Sequence, residues 1–280
     1  MNYVSFPAMG TTVEAWCRWD PEGSLQNWFE EVEATCSRFR QESELTRINS
    51  SEHTAHSLSP VLLSVVRASD VARDLTEGLV DIGVGAAVRA WGYDRTFTEV
   101  TDLEEMPRIT ESAEWRLAGE VLQKAANTTL DLGGVAKGWT VDRAVEQGMA
   151  VVASAGGDLR SAHRGTAVPV LDPTGAEVIR IRVGVGALAT SSIGKRKWNV
   201  AGCDVSHLVD PRTMTPVRTP IVSSTVVAAT AVEAEAGAKA VLLHGEEGLA
   251  WADRQPWIRA AVVLWHDGSV YGTKGVEVAA

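Results

Sequence analysis

Two periodicities run through this chain, and the order in which they alternate restricts its fold more than any other feature. "TTVEAWCRW" alternates, with Val13, Ala15, Cys17 and Trp19 on one side, as a half-buried strand does. "SLQNWFEEVEATCSRF" switches to helical spacing, with Leu25, Trp28, Phe29, Val32, Cys36 and Phe39 on one stripe and Ser24 as a cap. "SPVLLSVVRASDVARDLTEG" predicts a second helix, opened by a Ser-Pro pair at Ncap and N1 and closed at Gly78. "VVASAGGDLR", "AVPVL", "EVIRIRV" and "SSTVVAA" read as strands, and "DPTG" turns between the second and third. "AAVVLWHDGSVYGT" reads as a hairpin about Asp267-Gly268. Strands and helices mix without a strict βαβ rhythm. The expected class is α+β, not a doubly wound parallel sheet.

With 280 residues, 45% hydrophobic and 22% charged, the chain is long enough for a substantial core. No internal repeat, low-complexity tract or Pro/Ser-rich linker interrupts it. The formal charge is −10 with no Lys/Arg-rich run, which argues against a nucleic-acid partner. No apolar run approaches the roughly 18 residues of a membrane span, so no membrane insertion is expected. "MNYVSFPAMGTTVEAW" lacks a basic stretch followed by an apolar one, and Cys17, Cys36 and Cys203 are isolated and odd in number. The expected location is the cytoplasm.

Five stretches carry candidate chemistry. In "LDLGGVAKGWTVDRAVEQG" a short strand is expected to end at Asp131, with two glycines before a helix from about Val135. Glycines admit close approach of a ligand, and a helix N-terminus presents free N–H groups to an anion. Lys137 opposes the helix dipole in that first turn; a bound phosphate explains it, and so does a plain turn with an exposed lysine. The spacing matches neither a P-loop nor GxGxxG. "LVDIGVGAAVRAWGYD" reads as a packed turn carrying Asp81. "ASAGGDLR" ends a strand in Gly156-Gly157-Asp158, a common place for ligand contacts. "SHLVDPRTMTPV" groups His207, Asp210 and Arg212, with His207 a candidate base or a solvated histidine. "ALATSSIGKRKW" offers the Thr190, Ser191 and Ser192 hydroxyls beside a short basic run. No HExxH, Cys/His cluster or GxSxG appears, so neither zinc nor serine-hydrolase chemistry has support.

Near the end, "TAVEAEAGAKAVLLHG" is an Ala-rich helix with Glu235 and Lys239 one turn apart, either an exposed ion pair or a site. Together and in order, "AMGTTVEA", "SRFRQESELTRIN", "DIGVGAAVRAWGYD", "LDLGGVAKGWTVDRAVE", "AGGDLR", "ATSS", "SHLVDPRT" and "TVVAATAVEAEAGAKAVLLHG" resemble the ApbE family, the FAD:protein FMN transferases. The resemblance implies one domain over residues 1–280, an α+β fold with mixed or antiparallel sheets packed by helices, and FAD in a cleft between two lobes. It implies that a Ser or Thr hydroxyl of an acceptor protein attacks the FAD pyrophosphate, taking FMN and releasing AMP. Non-catalytic FAD binding and FAD hydrolysis to FMN and AMP are the alternatives.

By the same resemblance, Met9 and Phe39 would line the flavin ring and its approach, with Val80 and Asp81 nearby. Asp131 and Lys137 would flank the phosphate-facing turn, and Thr190 would contact the dinucleotide. His207 and Leu208 would sit near the transfer point, with His207 accepting the hydroxyl proton. Mg²⁺ would be held by the Gly134 carbonyl and by an Asp and a Thr of the late helix. Here those two positions are Glu235 and Lys239. Glu235 keeps a carboxylate, but a protonated lysine has no lone pair to offer a metal. Three arrangements follow. Lys239 points away from a Mg²⁺ on Glu235, its ammonium partly replaces the metal, or transfer is lost and flavin is only bound. Ser192 and Met214 also stand where relatives often have glycine.

Overall fold

The computed structural model describes residues 1–19 and 23–279. It divides into two compact units, one made of Met1–Phe29, Lys137–Lys195 and Arg218–Ala280, the other of Glu30–Ala136 and Arg196–Val217.

The first unit is built on an eight-stranded sheet. Its order is Asn2–Ala8, Thr11–Cys17, Val152–Ala155, Asp158–Ser161, Gly186–Ser192, Ile221–Ala228, Ile258–Trp265 and Val270–Gly272, with every neighbour antiparallel. Alternation along the strands sends two sets of apolar side chains to opposite faces. One set is small: Val13, Ala15, Cys17, Ala153, Ala155, Ala187, Ala189 and Ala228 pack with Leu25, Phe29, Val141, Ala144, Ala231 and Ala234 from three helices. The other set, Val152, Leu159, Leu188, Val227 and Val262, packs under the hairpin Ala167–Leu171/Glu177–Arg182 through Val170 and Ile181. The sheet is therefore covered on both faces, by helices on the alanine side.

Two of those helices approach closely. A Cβ on Gly138 would stand 3.0 Å from the Ala231 carbonyl oxygen and 2.9 Å from a Glu235 carboxylate oxygen, so a larger residue would push on both the helix backbone and the Glu235 side chain. The late helix spans Ala231–His244 and begins with a capping box. The Thr230 hydroxyl accepts from the Glu233 N–H, and the Glu233 carboxylate accepts from the Thr230 N–H.

The second unit holds the helices Glu44–Asn49, Pro60–Leu75 and Gly85–Ala90, and a three-stranded sheet ordered Ala55–Ser57, Val121–Lys124, Trp115–Ala118. The hairpins Lys197–Val200/Cys203–Ser206 and Val209–Asp210/Thr215–Pro216 add Trp198, Val200, Val205 and Val209 to a core with Ala87, Val88 and Trp91.

Helices and antiparallel sheets bear out the α+β class. Ser59 caps the Pro60–Leu75 helix as expected, and Gly78, at φ 86°, closes it by donating to the Arg73 carbonyl. Four local expectations fail. Trp19 lies beyond its strand and is 72% exposed, and Phe39 lies past the end of the Ser24–Cys36 helix, 39% exposed. "VVASAGGDLR" is two strands joined at Gly156-Gly157, whose φ values of 62° and 109° make a tight hairpin turn. No strand ends at Asp131: the Asn49 side chain brackets Leu130, and single backbone bonds tie the Asp131 N–H to the Ile82 carbonyl and the Thr129 carbonyl to the Gly85 N–H.

Candidate active site

In the first unit, four charges converge inside an otherwise apolar region. Lys137, in the first turn of the Ala136–Glu146 helix, has its Nζ 2.7 Å from Asp158 Oδ2 and 3.0 Å from Glu235 Oε1. Lys239 Nζ lies 2.9 Å from the same Glu235 Oε1, while Oε2 accepts from the Gly138 N–H at 3.3 Å. Glu235 is 2% exposed and Asp158 3%. The pair at 235 and 239 is thus not an exposed helix decoration. The acids also account for Lys137 without a phosphate, since two carboxylates offset its place at a positive helix end.

Burial alone would raise the Glu235 carboxyl, but the Lys137 and Lys239 ammoniums overcome it and hold the group down at about 2. Burial likewise opposes the Lys137 charge, yet Asp158 and Glu235 lift that lysine above its ordinary value. Burial, and then the Glu235 charge, push Asp158 upward against the pull of the lysines. All four groups make sense only as a set.

The cluster is anchored by Asp142, whose buried carboxylate accepts from the Ala231 N–H at 2.8 Å and the Val232 N–H at 3.1 Å. Those are orphan donors of the late helix's first turn, satisfied by a side chain from the neighbouring helix. Burial, outweighing these bonds, pushes Asp142 up to about 6 from 3.8. A folded-state value above the unfolded one means that the native state binds more protons across that window, so stability falls as pH rises through it. Relative to Asp142→Asn, the wild-type protein should lose roughly 3 kcal/mol between about pH 4 and pH 6 in urea melts. A difference that is flat or grows with pH would contradict the assignment.

The second unit assembles a different constellation. Asp131 Oδ1 accepts from the Gly133 N–H at 2.8 Å, and Oδ2 accepts from Arg38 Nε at 2.9 Å. Asn49 pins the preceding residue, donating to the Leu130 carbonyl and accepting from its N–H. The Arg38 guanidinium lies 4.1 Å from the Phe39 ring centre and 4.8 Å from that of Tyr93. Its Nη2 is buried and has no partner among the described residues. Tyr93 meets Phe39 at 5.6 Å, His207 edge-on at 6.2 Å and Trp198 at 6.1 Å. The result is an aromatic wall with a cation on it and an imidazole at its side.

A model of the ApbE family matches residues 9–262 of this chain. The chain belongs to the ApbE family. The FAD:protein FMN transferase of Vibrio cholerae serotype O1 is 30% identical, over 95% of this chain and 88% of its own. That of Escherichia coli strain K12 is 28% identical, over 80% and 70% respectively. The solved structure of the flavin transferase ApbE from Vibrio cholerae aligns with a TM-score of 0.78 at 25% identity, covering 98% of this chain and 97% of that one. An ApbE protein from Thermotoga maritima shares the fold with a TM-score of 0.84 at 20% identity, over 98% and 97%.

The residues singled out by the ApbE resemblance fall into both constellations. Lys137, Glu235 and Lys239 meet in the first unit; Phe39, Asp131 and His207 gather around Arg38 and Tyr93 in the second. Met9 occupies the turn between the first two strands at φ 51°, a strained value for a non-glycine residue. Thr190 shares a hydrogen bond with the Thr225 hydroxyl across paired strands. Val80 is buried, and Asp81 Oδ1 accepts from the Gly83 N–H and Trp115 Nε1. The Leu208 carbonyl accepts from the Val217 N–H, and Gly134 lies in the turn before the Ala136–Glu146 helix. Roles for Arg38, Tyr93, Asn49, Asp142 and Asp158 were missed. Arg38 and Asn49 stand in "SRFRQESELTRIN", Tyr93 in "DIGVGAAVRAWGYD", Asp142 in "LDLGGVAKGWTVDRAVE" and Asp158 in "AGGDLR", but a sequence does not say which acid meets which base.

Mg²⁺ does not suit this donor set. Glu235 Oε1 already carries two ammoniums and Oε2 a backbone N–H, while Lys239 offers no lone pair. Among the described residues no group of three or more His, Cys, Asp or Glu side chains could hold a metal ion.

Proposed function

We propose that the chain transfers FMN from FAD to a Ser or Thr hydroxyl of an acceptor protein, with AMP as the leaving group. The observation that carries this reading is the match, over 95% of the chain, to a FAD:protein FMN transferase. The attacking oxygen forms a new bond to the phosphorus of the FMN half, and the bond from that phosphorus to the bridging oxygen breaks. The hydroxyl proton passes to a base, and AMP departs with the bridging oxygen's charge. Such a transfer asks mainly for positioning and for charge stabilisation.

His207, half-buried beside Tyr93, is the base in this reading. Phe39 and Tyr93 offer faces for an isoalloxazine, and the unpartnered Arg38 nitrogen offers it a donor. Met9, Val80, Asp81, Thr190 and Leu208 complete the FAD contacts, with Asp131 acting through Arg38. Mg²⁺ at Gly134 and Glu235 enters only as replaced, wholly or in part, by Lys239. We assign the work to the cytoplasm, supported by three cysteines that form no disulfide among the described residues; burial pushes the Cys36 thiol up to about 12, so it stays a thiol. The acceptor then lies in the cytoplasm or faces it from a membrane; no described helix is long and apolar enough to cross one.

The test is incubation of the purified protein with FAD and a hydroxyl-bearing candidate acceptor, followed by assays for AMP and for a covalently yellow acceptor band. Both products are expected. AMP without labelling would indicate hydrolysis, and FAD retained without either product would indicate a binder. A protein that binds no flavin would overturn the reading.

A further inference from the structure

The buried four-charge cluster has a layered arrangement that an inert ion-pair network would not need. The carboxylates lie deep, with side chains 5% exposed for Asp158 and 3% for Glu235. The lysines keep 19% and 15% of theirs exposed, so what a ligand can reach is lysine. Each ammonium carries three donors. Lys137 donates one to Glu235 and pairs with Asp158 by charge at 2.7 Å, and Lys239 donates one, to Glu235, among the described residues. The host helix is otherwise apolar here, with Ala234, Ala236, Gly237, Ala238 and Ala240 all buried. Replacing a buried ion network by apolar groups is often neutral or stabilising, so packing alone gives little reason for these charges.

Resting on the flavin-transfer reading, we propose that Lys137 and Lys239, held side by side on Glu235, are a built-in cation centre that binds the diphosphate of FAD directly and makes this chain independent of a divalent metal. Glu235 acts as the bracket. A single oxygen, Oε1, holds both ammonium nitrogens at 3.0 and 2.9 Å and so fixes them as neighbours. Their remaining N–H groups are donors for non-bridging diphosphate oxygens. As the bond to the bridging oxygen breaks, those donors stabilise the charge that passes to AMP. The hydroxyl proton goes to a base, and neither oxidant nor further reactant is required.

The experiment uses the full chain after exhaustive treatment with EDTA. FAD affinity is followed by flavin fluorescence in EDTA and in millimolar Mg²⁺, with calorimetric titration of Mg²⁺ alone and with riboflavin, which lacks phosphate, as the control ligand. The wild-type protein should bind FAD equally, within twofold, in both conditions and show no heat of Mg²⁺ binding. Lys239→Met should weaken FAD at least tenfold and leave riboflavin unchanged, and Lys239→Arg should restore part of the loss. Glu235→Asp combined with Lys239→Thr should give FAD binding that Mg²⁺ strengthens. A tenfold gain in wild-type FAD affinity on adding Mg²⁺, or a Lys239→Met protein that folds and binds FAD normally, would overturn the cation centre while leaving flavin transfer intact. Failure of the wild-type protein to bind either flavin would instead sink the reading beneath it. The wild-type comparison needs no variant, so a misfolded mutant does not rescue the proposal.

Discussion

Glu235→Ala should be among the most destabilising single substitutions in this protein, lowering folding stability by roughly 3–5 kcal/mol. The substitution removes a carboxylate that is 2% exposed and accepts from two ammoniums and one backbone N–H. Asp158 would remain as the one acid of the cluster, 2.7 Å from Lys137, and Lys239 would be left in an apolar helix without its counterion. Urea melts should show the loss as a lower midpoint with an unchanged slope. The double variant Glu235→Ala, Lys239→Ala should recover part of it, because the stranded charge goes too. A loss below about 1 kcal/mol, or a double variant worse than the sum of the singles, would mean the cluster is solvated rather than buried. The pH dependence has a definite sign. Glu235 is held at about 2, below its ordinary 4.5, so its contribution is present above the unfolded value and fades as pH falls towards 2.

His207→Asn should lower the rate of FMN transfer by roughly 10²–10⁴-fold while changing FAD affinity by no more than a few-fold. An imidazole titrates near neutrality, so it can take a hydroxyl proton at working pH, whereas an amide cannot. The ring meets Tyr93 by its edge and offers the flavin no stacking face in this reading, which is why binding should survive. Single-turnover assays with prebound FAD separate the two effects. A parallel drop in affinity and rate would make His207 part of the binding wall. An unchanged rate would assign the proton to another group.

Much of the fold was legible because it rests on local rules. The Ser59-Pro60 start, the Asp267-Gly268 hairpin and the alternation of Val13, Ala15 and Cys17 all follow from backbone chemistry within a few residues. The misses share a cause. Trp19 and Phe39 continue an apolar pattern past the end of their elements, and periodicity does not register where hydrogen bonding stops. Asp131 resembled a strand end because it follows an apolar residue before a Gly-Gly pair, yet the Asn49 side chain, not a strand, brackets Leu130.

The candidate site divides along the same line. The sequence by itself determined the α+β class, the family and the presence of an acid and a lysine one turn apart, since all three reside in residue type and spacing. Only the tertiary structure decided what that pair means. Helical spacing lets Glu235 and Lys239 touch, but nothing local buries them or brings Lys137 and Asp158 to the same point. Close approach of two helices at Gly138, and a hairpin that turns at Gly156-Gly157, do that. Once water is excluded, the charges must satisfy one another, and an ordinary i,i+4 pair becomes a fixed double ammonium.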